Sequence, residues 1–205
     1  MLESVVAAVR IVGVVPRRPV RLLMSRLGAA TGSMSDDQSA TVHPAALPSS
    51  DLLKQVGESH ARRSGPGGQH RNKTQTAVIL VHAPTGISAE ASERRSQAEN
   101  RTVALHRLRL KLALGQRTPA RLGPSGLWQS RTRDRQLLIA AGHPDFPALL
   151  AEAFDQLAAR RFDAPAAAAV LGVTTTQLLK LFRKSPAAWT ELNRLRAAAG
   201  LTALR

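Results

Sequence analysis

The chain has 205 residues, of which 43% are hydrophobic, enough for one domain or two small ones with a buried core and too many for disorder throughout. Lys+Arg 29 against Asp+Glu 14 gives a formal net charge of +15, the balance of a protein that works on polyphosphate, with nucleic acid as the default partner. Zero Cys excludes disulfides, thiolate metal sites and Cys nucleophiles. The six His show no ligand spacing, so no metal and no cofactor are expected, and a chain without Tyr lacks the aromatic platforms for base-specific reading of single strands.

In chain order, an apolar run from Val5 to Val15 is broken by Arg10 and followed by Pro16-Arg17-Arg18-Pro19-Val20-Arg21. It is too short and too charged to span a membrane. Three readings stand: a start assigned upstream of Met34-Ser35-Asp36-Asp37, an Arg-rich organellar transit peptide, or a disordered extension. Residues 1–50 are therefore expected to be a disordered or misassigned extension and linker. A cytoplasmic location follows, or a mitochondrial or other organellar matrix if the transit reading holds.

Residues 51–114 carry eleven Lys and Arg against five Asp and Glu, and read as a small α+β domain. A short strand is expected near Lys54 to Arg62. Ala77-Val78-Ile79-Leu80-Val81, the turn Ala83-Pro84-Thr85-Gly86 and the return Ile87 to Ala91 predict a β-hairpin. Ser96-Gln97-Ala98-Glu99 is a capping box opening a helix with Ala104, Leu105, Leu108 and Leu112 as its apolar stripe, which should cover the sheet. Arg101, Arg107 and Lys111 are expected to face solvent or RNA.

Residues 115–135, with Pro119, Gly123, Pro124, Gly126 and the run Arg131-Thr132-Arg133-Asp134-Arg135, have the composition of a basic linker. Residues 136–205 predict an all-α helical module: a helix from Pro147 to Arg161 with Leu150, Phe154 and Leu157 on one face, a short helix from Ala166 to Leu171 closed at Gly172, a third from Gln177 to Phe182, and a fourth opened by Ser185-Pro186. Ala168, Gly172, Val173 and Leu178 sit where a helix-turn-helix places its small residue, turn and packing residues; an ordinary helical bundle using the same turn is the alternative.

The most specific stretch is Ser64-Gly65-Pro66-Gly67-Gly68-Gln69-His70-Arg71-Asn72-Lys73-Thr74. Two adjacent glycines open backbone conformations closed to other residues, and Pro66 biases Gly65 towards extended geometry. Gly67-x-x-x-x-Asn72-Lys73-Thr74 is one residue from a phosphate-binding loop, Asn standing for the second Gly. However, Ser59 to Ser64 is no buried apolar strand and no apolar run ending in Asp follows, which argues against nucleotide hydrolysis.

Gly-Gly-Gln followed by His-x-Asn-Lys-Thr resembles the catalytic loop of class I peptide chain release factors. A second block in the family's order and spacing supports the resemblance: His82-Ala83-Pro84-Thr85-Gly86-Ile87, then Glu93-Arg94-Arg95-Ser96-Gln97-Ala98-Glu99-Asn100-Arg101. The resemblance covers roughly residues 51–114. It implies a small sheet with a packed helix carrying the Gly-Gly-Gln loop, and ribosome-dependent hydrolysis of the peptidyl-tRNA ester. Gly67, Gly68 and Gln69 would be catalytic. His70, Arg71, Asn72, Lys73 and Thr74 would hold the loop and meet ribosomal RNA, with Arg94, Ser96, Gln97 and Asn100 supporting it. Gln69 is also a candidate for methylation.

The implied partners are the large-subunit peptidyl-transferase centre and peptidyl-tRNA; a membrane is not expected, and a monomer is. Only 66 residues precede Gly67, so stop-codon recognition is not expected, and the chain looks more like the short, codon-independent members that rescue stalled ribosomes. Two alternatives remain: a ribosome- or RNA-binding factor whose loop no longer hydrolyses, and a DNA-binding regulator acting through the C-terminal helices.

Overall fold

The computed structural model describes residues 42–61 and 76–204, all in one unit of the chain, and the architecture is α+β. Expectations placed on residues 1–41 and 62–75 lie outside the described residues. A 3-10 turn (Pro44–Ala46) and helix α1 (Ser49–Lys54) lead into strand β1 (Val56–Ala61). Strands β2 (Ala77–His82) and β3 (Ser88–Ala91) complete an antiparallel sheet of order β1-β2-β3, in which Val78 pairs with both His60 and Ala91. Val78, Leu80 and His82 alternate onto the buried face. The hairpin turn depends on Gly86, whose φ of 69° is left-handed; the Gly86 and Thr85 amides both donate to the His82 carbonyl, at 2.8 and 3.2 Å.

Helix α2 (Gln97–Gly115) crosses β2 and β3, burying Ala104, Leu108 and Leu112 at helical spacing. Ser96 caps it as the capping box predicts, accepting from the Glu99 amide at 3.4 Å. Arg107 and Lys111 are exposed, as expected, and their head groups also reach back to β3, donating to the carbonyls of Glu90 (2.8 Å) and Ser88 (2.7 Å).

The opposite side of α2 is covered by α4 (Phe146–Ala159), almost every residue of whose first three turns is buried. One hydrophobic cluster therefore runs from the sheet through α2 and α4 into the C-terminal helices α5 (Ala164–Val170), α6 (Thr175–Arg183) and α7 (Pro186–Ala198). Each of these three opens on a capping side chain: Asp163 Oδ1 accepts from Ala166 N (3.1 Å), Thr174 Oγ1 from Gln177 N (3.2 Å) and Ser185 Oγ from Ala188 N (3.4 Å). Pro186 takes the first helical position, as the sequence predicts. α5 and α6 meet at a bend of 102° across Gly172 (φ 68°), inside the angular range of a helix-turn-helix.

The expectation for residues 1–50 changes over 42–50, which pack against the rest. His43 is buried, with Nδ1 accepting from Ala45 N (3.0 Å) and Nε2 facing the Gln116 carbonyl (3.3 Å). Residues 115–135 likewise differ from a linker, because three side chains on one face of α4 strap them down. Asp155 accepts from Thr118 N (3.0 Å) and Oγ1 (2.5 Å), Glu152 accepts from Ser125 N (2.7 Å) and Oγ (2.6 Å), and Gln156 Nε2 donates to Arg121 O (2.8 Å). Arg117 lies over the Phe154 ring at 4.2 Å, and Phe154 meets Phe182 edge-on at 4.8 Å. Within the same stretch, Gly126–Arg131 forms helix α3, whose fully buried Trp128 donates from Nε1 to Leu171 O at 2.9 Å. A two-stranded hairpin follows, β4 (Thr132–Arg133) and β5 (Gln136–Leu137), turned by Asp134 and Arg135 at φ 49° and 60°, the two positive angles a tight two-residue connection needs.

The buried His82 joins the hairpin to the end of α1. Its Nδ1 accepts from the Thr85 hydroxyl (2.8 Å) and its Nε2–H donates to Gln55 Oε1 (3.0 Å), an arrangement that suits the neutral ring. Burial lowers its pKa below the ordinary 6.5, and burial does the same to His43 against the pull of Asp155. As pH falls, the unfolded chain takes up protons first. The stability that the neutral rings contribute is complete above about pH 6.5 and is lost as pH drops from there towards the folded-state values. Burial of Glu152 raises its pKa and acts in the opposite sense, so a difference between proteins is the clean measure. Between about pH 7.5 and 5.5 the urea midpoint of the parent should fall by more than that of His82→Gln, which keeps two polar contacts without titrating. Parallel profiles would mean that His82 does not titrate in this window.

Candidate active site: the frame of the glycine loop

Strands β1 and β2 are the two stalks of the glycine loop. Ala61, the last residue of β1, pairs with Ala77, the first of β2, so the chain on the two sides of the loop lies on adjacent strands in fixed register, with Thr76 at the re-entry point. Gly67, Gly68, Gln69, His70, Arg71, Asn72, Lys73 and Thr74 lie outside the described residues; the frame around them does not.

The re-entry point is clamped by Asn100, in the first turn of α2 and fully buried. Its Nδ2 donates to Thr76 O (2.7 Å) and to Arg94 O (2.9 Å), while its Oδ1 accepts from Arg94 N (2.9 Å). One amide thus uses both donors and an acceptor on backbone groups of two segments, a match that neither a carboxylate nor an apolar residue reproduces. The departure point is tied to the same helix. Gln97 Nε2 donates to His60 Nδ1 at 2.9 Å, and Arg101 Nε donates to Glu58 Oε2 at 2.8 Å. Gln97 and Arg101 are one turn apart on α2; Glu58 and His60 are two apart on β1, so each pair shares a face.

Around this frame the charge is positive. Residues 62–75 contain Arg62, Arg63, Arg71 and Lys73 and no acid. Arg94 and Arg95 are exposed at the corner between β3 and α2, and the nearby Glu93 carboxylate is held below the usual range by its hydrogen bond from Arg107. Such a corner suits an anionic surface, with Glu93 turned towards a partner within the fold and Glu99 exposed in the first turn of α2.

Residues 51–125 match the RF-1 domain. This is the Gly-Gly-Gln domain of class I release factors, and it spans the sheet, the loop, α2 and the strapped segment as far as Ser125. Curated proteins of three descriptions are similar to this chain. "Peptide chain release factor 1" of Granulibacter bethesdensis is 37% identical over 119 residues, 55% of this chain and 32% of that protein. "Peptide chain release factor 1-like, mitochondrial" of Rattus norvegicus is 53% identical over 51 residues, 25% of this chain and 14% of that one. "Peptide chain release factor 2" of Lactiplantibacillus plantarum is 55% identical over 51 residues, again 25% and 14%. The chain spans about a third, or less, of the curated relatives it matches.

Within the RF-1 domain, the structure brings Arg94, Ser96, Gln97 and Asn100 together at the mouth of the loop: Asn100 on the re-entry strand, Gln97 on the departing one, Ser96 capping the helix that carries both, and Arg94 held through its backbone. His60, Glu58 and the Arg101 ion pair were not foreseen. Alternation along β1 put Glu58 and His60 on one face, but nothing local named α2 as their partner.

Asn100→Ala would orphan the Arg94 N–H and two carbonyls, and should cost about 2–4 kcal/mol in urea unfolding. Asn100→Asp restores only the acceptor and sets a buried carboxylate against two carbonyl oxygens, so it should be no more stable than the alanine variant. Hydrogen exchange separates the two: the Arg94 amide should lose protection in Asn100→Ala and retain part of it in Asn100→Asp. A neutral Asn100→Ala would remove the clamp from this account.

Proposed function

We propose that the chain hydrolyses the peptidyl-tRNA ester inside the ribosomal peptidyl-transferase centre and does so without reading a stop codon. The observation that carries the reading is the RF-1 domain match, over a segment whose structure holds the ends of the Gly67-Gly68-Gln69 loop in register and clamps them to one helix.

Ester hydrolysis must stabilise the oxyanion that forms when water attacks the carbonyl. The Gln69 side-chain amide does not titrate near neutrality and cannot act as a base. Its backbone N–H can donate to the developing charge, a contribution typically worth roughly 10² to 10³ in rate, while the amide shapes the space for water. Gly67 and Gly68 give the backbone the freedom to present that N–H. The RNA centre and the terminal ribose of the tRNA supply the remaining groups, so the loop needs to be delivered rather than assisted by a triad.

The match lies in the Gly-Gly-Gln domain, residues 51–125, and independence from the stop codon is the part of the proposal that the release assay below tests. By the same reading, the ribosome and peptidyl-tRNA are the partners, the cytoplasm or an organellar matrix is the location, and Gln69 is the place for a methyl group.

A labelled peptide should be released from ribosome-bound tRNA in the absence of a stop codon. Gly67→Ala and Gly68→Ala should be nearly inactive, and Gln69→Ala impaired but less severely, because its backbone donor survives. No release above a protein-free control on both intact and truncated messages would sink the hydrolytic reading. Salt-sensitive ribosome binding without release would replace it with a binding factor.

A further inference from the structure

The basic run at 131–135, which the loop chemistry does not use, is built against the start of α6. The β4–β5 hairpin stands at the start of α6: the Arg135 carbonyl accepts from the amide of Thr174, the residue whose hydroxyl caps that helix, at 3.3 Å. Leu137 of β5 is buried in the cluster that also holds Leu178, Leu181 and Phe182 of α6, and Lys184 donates from Nζ to the Ile139 carbonyl just beyond β5. Hairpin and helix are thus one rigid piece, and the tight turn at Asp134 and Arg135 pushes Arg133 and Arg135 into solvent, the Arg133 side chain being 84% exposed.

α6 buries one side and exposes Thr176, Lys180 and Arg183, spaced four and three residues apart on the other. Acids in the same part of the chain are drawn away from this face. Asp145 pairs with Arg131 (2.6 Å), Glu152 and Asp155 hold the strapped segment, Asp163 caps α5, and Glu191 pairs with Arg194 (2.7 Å). Asp134, between the two hairpin arginines, is the one acid on it.

We propose that the β4–β5 hairpin and the exposed face of α6 form a single surface that docks on the phosphate backbone of double-helical RNA, with Arg133, Arg135 and Lys180 as its main contacts. The cations are spread over two elements set side by side, which suits a ridge of phosphates better than a single anionic group, and guanidinium forks match phosphate oxygens. The choice of RNA over DNA rests on the proposed function, since this surface shares one core with the RF-1 domain. Base reading is disfavoured on two counts. The deep groove of an RNA helix does not admit an α-helix, so the exposed Thr176, Lys180 and Arg183 of α6 can meet phosphates but not the base edges within it. Trp128, Phe154 and Phe182, which could have stacked on bases, are buried.

The test uses the full chain and fluorescence anisotropy on two RNA duplexes of about twenty base pairs and unrelated sequence, with a DNA duplex of matching sequence as comparison. Both RNA duplexes should bind within about threefold of each other. The triple variant Arg133→Gln/Arg135→Gln/Lys180→Gln should bind at least tenfold more weakly, and its log Kd against log salt should be shallower by about two to three. The substituted side chains are exposed, and an unchanged urea midpoint confirms that the fold is kept. If that midpoint moves, Arg133→Gln/Lys180→Gln, which leaves the positive-φ position untouched, should still weaken binding and flatten the salt dependence. Unaltered RNA affinity in a folded variant overturns the proposal, as does a clear preference for one RNA sequence or tighter binding to DNA. The measurement contains no ribosome and no ester, so its outcome is separate from whether Gly67-Gly68-Gln69 hydrolyses anything.

Discussion

Helix α2 is apolar on more than one side: besides Ala104, Leu108 and Leu112, it buries Ala113 and half-buries Val103, Leu105, Leu110 and Leu114. A three-stranded sheet can cover only one stripe of such a helix, and the remainder must be shielded by a second layer. α4 supplies that layer. Most of the architecture follows from this requirement, because α4 cannot cover α2 unless the chain between them is folded back and fixed. Asp155, Glu152 and Gln156 do that fixing.

The same helix serves the loop through its polar first turn. Asn100 and Gln97 are oriented by the capped N-terminus and the buried stripe that follows, so packing energy in the hydrophobic half is used to hold hydrogen-bonding groups in the other. A backbone donor of the kind proposed would depend on placement to a fraction of an ångström. Register between β1 and β2, the Asn100 clamp and the Gln97–His60 contact fix the chain on both sides of the glycine loop.

Elements written in local signals were legible in the sequence. The hairpin around Gly86, the capping box at Ser96 and the Ser185-Pro186 helix start all depend on residues within a turn of one another. Elements that depend on distant partners were not. Pro119, Gly123 and Pro124 look like a linker until Asp155 and Glu152, 37 and 27 residues away from their partners, are seen to bind it. His43 looked like part of a tail because its partner is the Gln116 carbonyl, 73 residues on. The short β4–β5 hairpin hid in a charge run, since its turn uses Asp and Arg at angles more often given to Asn and Gly. For the site, the motif named Asn100 and Gln97, but only the fold shows what they hold: Asn100 the backbone of Thr76 and Arg94, Gln97 the His60 ring.

Trp128 gives the α2–α4 partnership a further meaning. Its ring is sealed in the common core, and its indole proton is bound to the carbonyl of Leu171, where α5 gives way to the turn before α6. The residue lies just past the end of the RF-1 domain match at 125, yet it belongs to the same hydrophobic cluster as α2 and the sheet. The loop-bearing part is therefore not a cassette that can be lifted out and spliced elsewhere at the boundary a family comparison suggests. A transplant cut there would carry an open seam along α2, and the helices left behind would lose the surface they were shaped to meet.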